Sequence, residues 1–173
     1  MKQRLLLFAL CYFLLAGIPA QAENPNANSP LDWEISVQPK PTEKEIERER
    51  WSNVFVNDIG IYLFDHKSLY IDEADKKLVH VLTKTIFADP KVIGSLNEKY
   101  KEKLTTGDKV SYSEIQMVFQ IKKKTYAVTE TKVFSEQGTV LEDRQQTAKF
   151  APVPLKTFAD SMYDIAKNYE RNN

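Results

Sequence analysis

The chain has 173 residues, 24 basic and 24 acidic side chains, no net charge and a mean hydropathy of −0.44. That balance excludes the broad cationic surface that general nucleic-acid binding needs. Cys11 is the only cysteine, which excludes an internal disulfide and any multi-cysteine metal site.

Lys2 and Arg4 precede an apolar run from Leu5 to Ile18, followed by Pro19 and Ala20-Gln21-Ala22. A basic start, an apolar centre and a small-x-small end make the pattern of a secretory signal peptide. Ala20 and Ala22 are the expected small residues, and Glu23 is the expected first residue of the mature chain. The apolar run is shorter than the ~20 residues of a membrane-spanning helix. Leu10, just before Cys11, stands where a lipoprotein signal wants a small residue. The mature chain is therefore expected to be exported without a membrane anchor, to the periplasm, the cell surface or the medium. Cleavage removes Cys11, Lys2 and Arg4, leaving 22 basic against 24 acidic residues. Thiol catalysis is excluded in that chain, and its length suits one domain.

Residues 23–41 are rich in Asn and Pro and poor in apolar side chains, so burial cannot offset the entropy of ordering them. They read as a disordered or extended spacer. Within them, Leu31 to Val37 alternates and reads as a strand or a docking segment. Residues 42–173 are the expected single folded domain.

Thr42 and Glu45 fit a capping box, opening a short helix that runs to about Arg50. Glu45–Arg48 and Glu47–Arg50 have the spacing of helical ion pairs. From Trp51 the pattern turns to strand: Val54 to Val56 and Ile59 to Phe64 are β-branched and aromatic. Asp65 to Ser68 reads as a turn, Leu69 to Ile71 as a short strand, and Asp72 to Lys77 as a polar turn. Leu78 to Phe87 is a long strand with Val79, Val81 and Thr83 on one face and Leu78, His80, Leu82 and Lys84 on the other. Asp89-Pro90 starts a helix expected over 90–104, where Ile93, Leu96, Tyr100 and Leu104 recur at helical spacing. Val110 to Ile121 alternates again, placing Ile115, Met117, Phe119 and Ile121 together. Lys122-Lys123-Lys124 is a turn, Tyr126 to Phe134 a strand, Glu136-Gln137-Gly138 a turn, and Val140-Leu141 begins a last short strand. Pro152 and Pro154 close the strand region. Phe158, Met162, Ile165, Ala166 and Tyr169 form the apolar stripe of a C-terminal helix. This order is that of an α+β domain with a mainly antiparallel sheet.

Residues 51–169 carry an ordered set of features: Trp51, Ile61 to Asp65, Lys67-Ser68-Leu69, Val79 to Thr85, Tyr126, Phe134 to Leu141, Phe150 to Pro154 and the final helix. In order and spacing this set resembles the surface-adhesin protein E family of bacterial exported proteins. The resemblance implies a curled antiparallel sheet of about six strands, one inserted helix and a C-terminal helix packed across the sheet. It also implies a bacterial surface or periplasmic location, and in some members adhesion to host matrix proteins. Two cysteines of many relatives are replaced here, in the regions of Ile121 and of Ala166-Lys167. Phe150 stands where relatives have Trp.

Candidate chemistry is sparse. His66 and His80, with Asp65, Asp72 or Glu73 nearby, lack a familiar metal-ligand spacing and read as surface or half-buried histidines. Asp72, Glu73 and Asp75 read as a solvated turn rather than a carboxylate pair with split pKa values. Ser68, Ser111 and Ser113 lack the strand-turn-helix setting of an activated nucleophile, and there is no glycine-rich phosphate loop. The chain is therefore expected to be neither an enzyme nor a cofactor protein. Lys122, Lys123 and Lys124, with Lys109 and Lys132, could meet an acidic partner such as a sulfated glycan; the alternative is a solubilising turn. Two functions stay open. One is a non-enzymatic exported binding module contacting protein through its exposed sheet or the edges of that sheet. The other is a periplasmic small-ligand-binding or envelope-assembly factor using the concave side of that sheet.

Overall fold

The computed structural model describes residues 40–173. The expected signal peptide, its cleavage residues Ala20, Ala22 and Glu23, and the Leu31 to Val37 segment lie outside the described residues.

Among the described residues, an open eight-stranded antiparallel sheet carries three helices. Thr42 caps helix α1 (Glu43–Arg50), and the Thr42–Glu45 capping box is complete. Strands β1 (Trp51–Val56) and β2 (Gly60–Asp65) form the first hairpin. A short β3 (Tyr70–Ile71) and β4 (Leu78–Phe87) follow. Helix α2 (Pro90–Lys99) leads to β5 (Val110–Gln120), a 3-10 turn (Ile121–Lys123) and β6 (Thr125–Ser135). Strand β7 (Val140–Gln145), a two-residue β8 (Ala151–Pro152) and α3 (Phe158–Asn172) complete the chain. The main path across the sheet is β1-β2-β4-β5-β6-β7, with β3 paired to β4 and β8 to β6. These six strands answer the expected number, and β3 and β8 extend them to eight.

Alternation in β4 sends Val79, Val81 and Thr83 to the helical face, as the sequence pattern predicts. Val79 and Val81 join Met117, Phe119, Met162, Tyr163 and Ala166 in the main core under α3, and Thr83 is buried on the same face. Every residue of the predicted α3 stripe packs there. Thr83 satisfies its buried hydroxyl by donating to the Ile115 carbonyl at 2.9 Å, and Tyr163 donates to the Ile121 carbonyl at 3.0 Å. A second core of Tyr100, Val110, Val133 and Leu141 sits under α2, with Phe87, Leu96 and Leu104 against it.

Three local details differ from the sequence pattern. Helix α2 ends at Lys99 rather than at 104. The backbone N–H of Lys103 donates to the Tyr100 carbonyl, and Leu104 reaches the second core from beyond the helix. Ile121 leaves the strand to open the 3-10 turn but stays buried in the main core. Leu141, read as the start of a short strand, is skipped in the β6–β7 register between Val140 and Glu142. That bulge turns both Leu141 and Glu142 toward α2.

Candidate functional site on the sheet face opposite the C-terminal helix

Cross-strand register sets the chemistry of the face away from α3. Val56 lies opposite Ile61, Ile61 opposite Ile86, Ile86 opposite Tyr112, Tyr112 opposite Phe134, and Phe134 opposite Val140. Six apolar or aromatic side chains thus cross six strands in one row. Tyr112 and Phe134 stack with ring centres 4.6 Å apart. Burial would hide such a row, but Val56 is 61% exposed, Val140 49% and Ile86 38%. The other three are half-buried.

The next row is charged and internally neutral. Lys84 lies opposite Glu114, Glu114 opposite Lys132, and Lys132 opposite Asp143. Lys84 Nζ is 3.1 Å from Glu114 and 3.5 Å from Glu47 of α1. It also stands 3.9 Å from the Trp51 ring centre and 4.8 Å from that of Tyr112. The Trp51 indole N–H donates to Glu47 at 2.7 Å. That bond, more than the nearby Lys84 and Arg50 charges, holds the Glu47 carboxyl below its ordinary pKa. Burial, then the Glu114 and Glu47 charges, pushes the Tyr112 phenol up. Arg50 anchors the end of α1 through two bonds to the fully buried Asp65 carboxylate, Nε at 2.6 Å and Nη2 at 2.5 Å.

These contacts lay α1 along one end of the face. Between helix and sheet runs a groove of about 580 Å³, mostly apolar, with Leu63, Ile86 and Trp51 among its lining residues and Lys44 and Arg48 on its helical wall.

The sequence-predicted residues fall elsewhere. Lys122, Lys123 and Lys124 are exposed in the 3-10 turn and its left-handed end, where Lys124 has φ 51°. Lys124 Nζ is 3.7 Å from Asp160. Lys109 pairs with Glu136 at the opposite end of β5, and Lys132 pairs with Glu130 on the sheet face. Strand β5 is about 35 Å long at ~3.4 Å per residue, so the structure does not assemble these lysines into one patch. His80 Nε2 lies 3.1 Å from Asp72 Oδ2 and stacks on Tyr70. Backbone N–H groups of Asp75 and Ala74 lower the Asp72 pKa, with His80 adding to them. Asp72 thus organises its turn. His66 is exposed in the β2–β3 turn, and no group of three metal-ligating side chains occurs among the described residues. The Ser68 hydroxyl donates to the Asp65 carbonyl and accepts from the Leu82 N–H, both at 2.8 Å, pinning the loop to β4.

Sequence reading did not single out the apolar row. Its one local signal is the Ile59 to Phe64 run, apolar on both parities, which marks a strand with two non-polar faces. Tyr112 sits between two serines, while Val56, Ile86, Phe134 and Val140 each adjoin an apolar residue, Phe55, Phe87, Val133 and Leu141, so nothing local marks them as one set and only register joins them.

No family model matches the chain, and no curated protein matches it. Solved structures do. The selenomethionine form of Haemophilus influenzae protein E superposes with a TM-score of 0.52 at 12% identity, over 73% of this chain and 92% of that one. Another structure of Haemophilus influenzae protein E gives 0.50 at 13% identity, over 72% and 89%. The chain therefore has a protein E-like fold.

Proposed function

We propose that the chain is an exported, non-enzymatic binding module whose partner is a protein seated on the apolar row of the sheet. Residues 1–22 are the signal peptide, cleaved between Ala22 and Glu23. Residues 23–41 are the spacer, and residues 42–173 form the binding domain. The observation that carries this reading is the row from Val56 to Val140. Six apolar side chains stay at the surface while the opposite face of the same sheet buries its own under helices. Contiguous exposed apolar surface of this kind marks an interaction site. Aromatic residues such as Tyr112 and Phe134 are enriched at interface cores. The flanking charges pair with one another, so the row can be desolvated without stranding an ion. No described helix is long and apolar enough to cross a membrane. The likeness to protein E supports the reading at the level of fold, and function belongs to the site.

The test places a photo-crosslinking residue at Ile86 or Val140 in the chain expressed with its signal, with Asp164 on α3 as control. One protein should crosslink from both row positions and not from position 164. Adducts from position 164 at the same yield, or from no position, would sink the reading.

A further inference from the structure

We propose that the groove beneath α1 binds a single-chain amphiphile with an anionic head, taken free from solution: a fatty-acid-like carboxylate. The groove meets the protein-binding row at Ile86, and its assignment rests on the groove's own lining and charges rather than on that row.

The charges around the groove decide the class of ligand. Glu45 is committed to the N-cap, accepting from the Thr42 N–H at 2.8 Å. Glu47 is committed to Trp51 and Lys84. The Lys84 ammonium lies between two carboxylates and two aromatic rings, so its charge is already answered. Lys44 and Arg48 remain, one helical turn apart on the groove wall, and neither forms an ion pair among the described residues. Each acid of the groove is thus spoken for, while two cations stand open above an apolar floor of Leu63 and Ile86. Arg48 offers a planar fork that matches a carboxylate, and Lys44 adds a second donor.

The remaining body of the ligand must be apolar. The groove volume of about 580 Å³ falls inside the ~300–1,000 Å³ of small-ligand sites. Leu63, Ile86 and Trp51 supply the apolar surface against which an aliphatic chain lies within the groove. A bilayer is a poorer occupant. Membrane-surface helices gather clusters of basic residues, whereas α1 carries Glu43, Glu45, Glu47 and Glu49 against Lys44, Arg48 and Arg50. Two adjacent cations match one head group.

The experiment titrates decanoate, below its micelle concentration, into the chain from Glu23 to Asn173. Saturable one-to-one binding is expected. Decanoate brominated at its far end should quench Trp51 in a Trp33→Phe background. Neutral decyl maltoside should bind at least about tenfold more weakly, the size of one lost charge-assisted hydrogen bond. Lys44→Gln with Arg48→Gln should weaken decanoate by a similar factor and leave decyl maltoside unchanged; both residues are exposed, so the fold is not at stake. The proposal is overturned by absence of saturable binding, by equal affinity for the neutral amphiphile, or by unchanged affinity of the double variant. Binding to phosphatidylglycerol vesicles in preference to free decanoate also overturns it.

Discussion

Glu142 shows how one residue's surroundings fix its charge. The β7 bulge brings its carboxylate to α2, where Lys99 Nζ donates at 2.8 Å and the Tyr100 hydroxyl donates as well. The Lys99 bond first, and the Tyr100 bond second, hold this carboxyl below its ordinary pKa. A carboxyl depressed in the folded state contributes stability that is present above its unfolded value and lost as pH falls through its folded value. The loss should therefore begin near the ordinary Glu value of about 4.3 and continue below it. Urea midpoints measured on this acid limb should fall less steeply in Glu142→Gln than in the parent chain. Identical limbs in the two proteins would remove Glu142 from the account.

At the level of elements, the tightest fit is between β2 and β4. A Cβ added to Gly60 would stand 2.0 Å from the Ile86 carbonyl oxygen, so glycine is required by close approach. Gly60→Ala should cost about 1–3 kcal/mol, the range of an overpacked site, measured by urea denaturation, and should displace Ile86 within its row. Most elements were legible because each carries its own local signal. Thr42 with Glu45 announces α1, Asp89-Pro90 announces α2, and the spacing from Phe158 to Tyr169 announces α3. The early end of α2 was not legible, since Tyr100 and Leu104 keep helical spacing while packing from a turn. Nor were the bulges at Val54, Ser111, Thr129 and Leu141, which arise from pairing with a neighbour. The candidate site was the least legible part. Lys84 looks like any polar-face lysine until Trp51, Tyr112, Glu47 and Glu114 converge on it, and contacts of that range have no local pattern.

The whole molecule divides its labour between two sides of one sheet. One side is filled by α3 and α2 and supplies the stability of a chain whose described residues contain no cysteine. The other keeps its apolar row at the surface. Substitutions should separate the two. Met162→Ala, in the fully buried core, should lower unfolding stability by about 2–5 kcal/mol. Ile86→Asp, on the exposed row, should change it by less than about 1 kcal/mol. The crosslink from position 140 should respond in the reverse order, persisting in Met162→Ala and vanishing in Ile86→Asp. Denaturation and crosslinking of the two variants check this division.

The bulges also govern how another chain can approach. The outermost strands are β1, the two-residue β3, β7 and β8, and each is short or broken. Strand β1 is interrupted at Val54, β7 carries Glu142, Asp143 and Arg144 beside its bulge, and β8 has two residues, one of them Pro152. The stretch of β6 between its two partners is occupied by Gln146, which donates from its backbone to Thr129 and from its side chain to Val128. None of these borders offers the long, flat ladder of free N–H and C=O groups on which a foreign strand adds. The described sheet is thereby guarded against strand-to-strand aggregation, and a partner that meets it must read side chains rather than backbone.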